Sequence, residues 1–195
     1  MINNTFGEKI KRIFDIVLAV SFFFILAPLM LIVAALVKFT SRGPTIYWSD
    51  RVGQFNKLFK MPKFRTMLVD TPVLATHLMN DPDSYLTPIG SFLRKSSLDE
   101  IPQLWNIFKG DMSFVGPRPA LYNQDDLIAL RTENGVDKIK PGLTGWAQVN
   151  GRDELPLEMK VKYDVEYLAR KNILFDIRVM FLTALKVVTK SNVAH

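Results

Sequence analysis

Apolar residues in this chain gather in one dense block near the N-terminus, followed by shorter periodic stretches. Between Asp15 and Lys38 no residue carries a charge, a run longer than the roughly 20 apolar residues that cross a bilayer core of about 30 Å. Lys9, Lys11 and Arg12 precede the run and Lys38, Arg42 and Arg51 follow it. The positive-inside rule therefore assigns both ends to the cytoplasmic side. Pro28 lies near the middle of the run, where its missing N–H and its ring clash cost about 3 kcal/mol in a helix interior. Each half then spans about 18 Å at the helical rise, enough to reach the bilayer centre and turn back. The pattern predicts a re-entrant helix broken at Pro28 within a membrane-inserted unit, residues 1–40. A single span is the second reading, because spanning helices tolerate proline. A cleaved signal peptide is the third, although the run exceeds the usual apolar region of about 7 to 15 residues.

Residues 41–195 carry weaker periodicities and are predicted to form a cytoplasmic domain. Ser41-Arg42-Gly43-Pro44 is a turn. Thr45 to Trp48 and Lys57 to Phe64 read as strands, with a hairpin around Gly53-Gln54-Phe55-Asn56. Asp70 to Pro88 is polar and proline-punctuated, with at most a short helix around Val73 to Met79. Leu121 to Glu133 reads as helical. Three glycines and a proline argue for a loop from Lys140 to Arg152. Leu157 to Lys171 is a charged helix with Val161, Val165 and Leu168 on one stripe, a core face. Leu174 to Lys190 is apolar but holds Asp176, Arg178, Lys186 and Lys190, so it suits the headgroup layer better than the bilayer core, a buried helix being the alternative. The fold class expected is mainly α with a small β-hairpin, monotopic, with an N-terminal re-entrant helix and interfacial amphipathic helices.

Composition narrows the chemistry. The chain has no cysteine and only two histidines, His77 and His195. That removes disulfides, thiolate zinc and cysteine nucleophiles, and leaves carboxylate and hard-metal chemistry. The net charge of +6 calls for an anionic partner. No zinc-finger, RNP or helix-turn-helix signature supports nucleic acid, and the apolar run favours anionic membrane lipid and a phosphorylated substrate.

The segment Ser96 to Pro119 concentrates the candidate chemistry. Asp99 and Glu100 are adjacent at a predicted helix start, where Ser97 and Glu100 also fit a capping box. Residues one apart on a helix point about 100° apart, so the two carboxylates take different tasks. Pro102 falls inside the first turns and predicts a distorted or restarted helix. Arg118, held between Pro117 and Pro119, offers a planar fork for phosphate oxygens. Arg94 and Lys63 are further candidate phosphate contacts, with solvated surface charge as the alternative for each. Gln148 and Arg152, in the stretch from Lys140, are further binding candidates.

These blocks together resemble the bacterial sugar transferase family, the small monotopic phosphoglycosyl transferases. The resemblance rests on Lys11-Arg12-Ile13-Phe14-Asp15, Lys63-Phe64-Arg65-Thr66-Met67, the Ser96 to Pro119 segment and Lys140 to Arg152, in the family's order. One departure is Ala27 before Pro28, where the family often has Ser. The resemblance implies transfer of a sugar phosphate from a UDP-sugar to polyprenyl phosphate, on the cytoplasmic face of the bacterial inner membrane. Asp99 would be the nucleophile that forms an acyl-phosphate and releases UMP, and Glu100 would bind Mg²⁺, with Mn²⁺ possible in its place. Direct one-step transfer is the competing mechanism. A non-catalytic, membrane-anchored scaffold for anions is the competing class, and it has no use for the Asp-Glu pair.

Overall fold

The computed structural model describes residues 5–72, 81–151 and 155–191. Helix α1 (Thr5–Thr40) runs for 36 residues with Pro28 inside it. The break expected at Pro28 therefore does not divide the element. Proline forfeits one backbone bond, and the turns on either side carry the helix through. One stripe of α1 faces the rest of the protein along its whole length. Asp15, Ala19, Val33 and Val37 are buried, and Leu18, Leu26, Leu29 and Met30 pack beside them, at the three- and four-residue spacing of a single helical face. The other side exposes Ile13, Val17, Phe24, Ile25, Leu31, Ile32 and Phe39.

Both ends of α1 dock on the same body. At one end Lys11 pairs with Asp176, Arg12 donates to the carbonyls of Ile107 and Phe108, and the buried Asp15 accepts from the Phe114 amide at 3.2 Å. At the other end Val37 packs with Phe64 and Leu93, and the buried Arg65 donates to the carbonyl and hydroxyl of Ser41 at 2.9 and 2.7 Å.

The predicted hairpin forms from β1 (Ile46–Val52) and β2 (Leu58–Phe64), antiparallel from Ile46 opposite Phe64 to Val52 opposite Leu58. Its turn passes through Phe55 and Asn56, both left-handed at φ 56° and 57°, and closes with Gly53 N–H on the Lys57 carbonyl at 2.8 Å. Strand β1 outlasts its expected end at Trp48 because Ser49 is buried opposite Met61 and Asp50 pairs with Lys60 across the strands. Polar residues in a two-stranded sheet thus disguised its second half.

Helix α2 (Gly90–Ser96) leads into a 3-10 segment, Leu98–Gln103, and then α3 (Leu104–Lys109). This is the interrupted helix that Pro102 predicted. Strand β3 (Ser113–Val115), α4 (Asp125–Glu133), β4 (Gly142–Thr144), α5 (Trp146–Val149), α6 (Leu157–Arg170) and α7 (Ile173–Ser191) complete the order. Helix α4 starts later than the Leu121 expected, because Leu121 bridges to Arg51 and its amide bonds the Gln124 side chain. The short helix considered at Val73 to Met79 lies outside the described residues.

The stretch from Lys140 was expected to lack regular structure, and that reading is corrected. Strand β4 pairs in parallel with β3, Ser113 opposite Gly142 and Val115 opposite Thr144. Its glycines allow backbone contact rather than turning. A Cβ on Gly142 would sit 2.1 Å from the Gly116 nitrogen, and one on Gly145 would sit 2.1 Å from the Gly116 carbonyl oxygen. The main core, with Met61, Leu104, Ile107, Phe114, Tyr167, Phe175 and Val179, lies between the hairpin, α1, α6 and α7. Each such side chain contributes about 1.5–3 kcal/mol on burial.

Candidate active site

Residues from five separate stretches of sequence meet around one cavity of about 510 Å³, lined by Lys63, Arg94, Asp99, Glu100, Arg118 and Gln148 among others. All the site residues singled out from the sequence are in it except Arg152, which lies outside the described residues, and Pro28, which is on α1. Lys63 comes from β2, Arg94 from α2, the carboxylate pair from the 3-10 segment, Arg118 from the Gly-Pro-Arg-Pro turn after β3, and Gln148 from α5.

The carboxylate pair is not presented by a capped α-helix start. Ser97 is left-handed at φ 58° and makes no side-chain cap; it closes α2 instead. The Glu100 amide reaches the Ser97 carbonyl, while the Glu100 carboxylate turns to the cavity cations. Lys63 Nζ lies 2.7 Å and Arg118 Nη2 3.2 Å from the same atom, Glu100 Oε1. Burial alone would raise the Glu100 pKa, but these two cations overcome it and hold the group well below the usual carboxylate range. Glu100 is therefore an anion at any physiological pH.

Asp99 is shifted in the opposite direction. It is 7% exposed, and its pKa is pushed up to about 6, by burial first and by the neighbouring Glu100, against the pull of Lys63, Arg94 and Arg118. Two adjacent carboxylates thus differ in kind, one clamped and one desolvated, as their different directions on a helical segment suggested. A desolvated carboxylate among three cations is suited to attack at phosphorus, because water does not stabilise its ground state.

Several residues of the site were not foreseen. Arg131 of α4 places two N–H groups on Asp164 Oδ2, at 3.0 and 2.7 Å, and a third on the Arg118 carbonyl at 2.8 Å. Asp164 is buried on α6, where the sequence stripe had shown only Val161, Val165 and Leu168. Thr144 and Thr183 share a 2.7 Å hydrogen bond that ties β4 to α7 at the cavity wall. Gln148 Nε2 donates to the Leu143 carbonyl, and its Oε1 is buried with no partner among the described residues. The available signal was the charge on the apolar C-terminal stretch, Lys186 among it, which the sequence pattern assigns to a headgroup-layer helix with a buried helix as the alternative.

Metal-binding capacity can be judged from the donors. Among the described residues no group of three or more carboxylates and imidazoles forms a cage. Lys63 and Arg118 both bond Glu100 Oε1. One or two carboxylates completed by substrate phosphate is the usual way Mg²⁺ is held, and the residues present fit that pattern.

Fold and site together set a long apolar N-terminal helix beside a cavity that gathers two carboxylates and several cations. The model of the bacterial sugar transferase family matches residues 6–190, and the chain belongs to that family. It is 40% identical over 189 residues to UDP-glucose:undecaprenyl-phosphate glucose-1-phosphate transferase of Escherichia coli K12, covering 92% of this chain and 40% of the relative. It is 40% identical over 204 residues to undecaprenyl-phosphate galactose phosphotransferase of Salmonella typhimurium, covering 95% and 42%. Exopolysaccharide production protein ExoY of Sinorhizobium fredii is 37% identical over 192 residues, covering 91% of this chain and 84% of the relative. The chain thus spans about two fifths of the first two relatives.

Proposed function

We propose that this protein transfers a sugar 1-phosphate from a UDP-sugar to polyprenyl phosphate, the acceptor type named in its relatives being undecaprenyl phosphate, and so begins assembly of a bacterial surface glycan. The observation that carries the reading is Asp99, a desolvated carboxylate in a cavity whose cations, Lys63, Arg94 and Arg118, match a diphosphate.

Asp99 attacks the sugar-bearing phosphorus of the UDP-sugar. A bond forms from its Oδ to phosphorus, the bridging P–O bond breaks, and UMP leaves with the electron pair. A phosphate oxygen of the acceptor then attacks the same phosphorus, the aspartyl P–O bond breaks, and the carboxylate is restored. The acceptor is itself an anionic phosphate and needs no base to activate it, which favours the nucleophile role for Asp99 over general-base catalysis in a direct transfer. Arg118 and Lys63 hold phosphate oxygens and also fix Glu100. Glu100 would hold Mg²⁺, whose contribution when bound is to neutralise the diphosphate and the departing UMP.

Membrane placement follows the same reading. With both ends of α1 held on one body, the helix bends at Pro28 without losing its helical course, so that it enters the cytoplasmic leaflet of the inner membrane and returns rather than crossing. Trp105 and Phe108 of α3, Phe92 of α2, and Leu174, Ile177, Phe181 and Leu185 of α7 are exposed and sit at the level of the anionic headgroups. The deciding test is UMP release from a panel of UDP-sugars with undecaprenyl phosphate in nanodiscs. Release with one or a few of them is expected. No release from any donor, with Asp99 intact and the protein folded, overturns the reading.

A further inference from the structure

The strand that delivers Lys63 to the cavity leads directly to a buried cation outside it. Arg65 follows β2, and its amide donates to the Thr45 carbonyl at 2.9 Å, so the hairpin ladder runs one rung past Phe64. Residues two apart on a strand share a face, and Lys63 and Arg65 therefore project from the same side of one rail. Arg65 is 5% exposed. Among the described residues it has no carboxylate within ion-pair distance, and its Nε and Nη1 are buried without a hydrogen-bond partner. The bonds it does make are those of Nη2, to the carbonyl and hydroxyl of Ser41 just beyond α1. Gly43, left-handed at φ 113°, makes room for the guanidinium, since a Cβ there would overlap Nη1. A buried guanidinium with unmade bonds is destabilising, and an apolar side chain of similar length would fill the site at less cost. A local rule broken beside an active site points to a gain in function rather than in stability.

We propose that Arg65 is a positioning residue: by tying the end of β2 to Ser41 at the end of α1, it fixes the strand against the helix and so holds Lys63 Nζ at the carboxylate pair. The proposal deepens the function proposed above, and rests on its reading of Asp99 and Glu100 as the reacting pair. Lys63 lies 2.7 Å from Glu100 Oε1 and is the cation that most lowers the proton affinity of Asp99, against burial. Arg94 of α2 and Arg118 act in the same direction as Lys63, and Glu100 acts against them. Lys186 of α7 also lines the cavity, whereas α1, β4 and α5 bring no charged side chain to its wall. Lys63 is thus the one of these cations carried on the rail that Arg65 anchors. Loosening that anchor lets Lys63 drift from the pair, and Asp99 then keeps its proton to a higher pH.

The test uses the full chain in nanodiscs without substrate, and follows Asp99 through the carboxyl ¹³C signal that Asp99→Asn removes. Arg65→Met keeps much of the side-chain volume and drops the charge with its unmade bonds. Its unfolding midpoint is expected at or above the native one, while the titration of Asp99 moves up by about one pH unit. Arg65→Lys keeps a charge but not the planar fork, and should move the titration by less. Lys63→Met alone should raise it as well. Adding Arg65→Met to Lys63→Met should then move it no further, because both changes act through one contact. Given a donor and acceptor that turn over, the acid limb of kcat/KM should shift by the same amount as the titration. A native titration in both Arg65 variants overturns the proposal. So does a further rise of similar size in the Lys63→Met background, which would make Arg65 act through its own field. A Met variant that fails to fold, or that unfolds below the native midpoint with its titration unmoved, makes Arg65 a structural residue. The titration does not depend on turnover, so a protein that shows these shifts yet releases no UMP counts against the proposed reaction and not against the positioning.

Discussion

Arg131 donates a 2.8 Å hydrogen bond to the backbone carbonyl of Arg118 while its other N–H groups hold the buried Asp164. The turn that aims the Arg118 guanidinium at Glu100 is therefore fixed from behind by a residue outside the cavity wall. Arg131→Lys keeps a charge beside Asp164 but cannot span both partners, so it should raise the donor KM severalfold with a small change in kcat, at a cost of about 1 kcal/mol in stability. Arg131→Ala strands a buried carboxylate and should cost about 3–5 kcal/mol. Steady-state kinetics together with denaturation checks both. A parallel fall in kcat and stability with an unaltered donor KM in the Lys variant would make Arg131 a purely structural residue.

Asp99→Asn removes the attacking oxygen anion and should lower kcat by at least about 10³-fold. The native protein, given donor alone, should gain a phosphosugar on the peptide containing Asp99 and release one equivalent of UMP; the variant should do neither. Mass spectrometry reads the adduct. Turnover near the native rate in the variant, or no adduct while the complete reaction runs, would leave direct transfer as the mechanism.

The same variant makes a stability prediction with a definite sign. Burial raises the folded Asp99 pKa from 3.8 to about 6, so the folded protein holds this proton more tightly than the unfolded chain. Stability is therefore lost as pH rises between those two values. Asp99→Asn escapes this loss and should equal the native protein near pH 3.5 but exceed it by roughly 2–3 kcal/mol at pH 7. Native kcat/KM should fall about tenfold per unit below about pH 6, as the nucleophile takes up its proton.

Glu100→Gln removes the anion that Lys63 and Arg118 share and the proposed metal ligand. Its kcat should fall about 10²-fold. Chelation should abolish native activity, and Mg²⁺ or Mn²⁺ should restore it. Full activity in excess chelator would show that the two cations alone carry the charge of the diphosphate.

Because the chain contains no cysteine, topology can be read with single thiols. Lys9→Cys and Arg42→Cys, at exposed positions flanking the apolar run, should both react with an impermeant maleimide applied from the cytoplasmic side. Reaction from opposite sides would make α1 a span.

How far the sequence reaches can be judged from particular residues. The hairpin, the interrupted helix at Pro102 and the two C-terminal helices were legible because turn residues, proline and apolar periodicity act locally. Glu100 and Arg118 were legible as chemistry, but their meeting with Lys63 depends on β2 lying beside the 3-10 segment, which no local signal encodes. Ser97 misled because its cap pattern is satisfied on paper while its backbone ends the preceding helix. Gly142 and Gly145 misled because glycine marks close backbone approach as readily as a turn. The partnership of Asp164 with Arg131 joins two helices 33 positions apart, and a buried carboxylate on a charged helix looks like any solvated one.

Phe22 and Leu26 belong at once to the long apolar helix proposed above to enter the lipid and to the wall around Asp99. Such an anchor is not an interchangeable tether. A catalytic domain cut free of it would be missing one side of its own reaction chamber, and grafting on a foreign membrane helix would restore attachment without restoring turnover. Attempts to make a soluble form by trimming the N-terminus should therefore fail for a chemical reason. Any drift in the lipid-facing segment over evolutionary time is bounded by the needs of the reaction, so lipid environment and catalytic fit must change together.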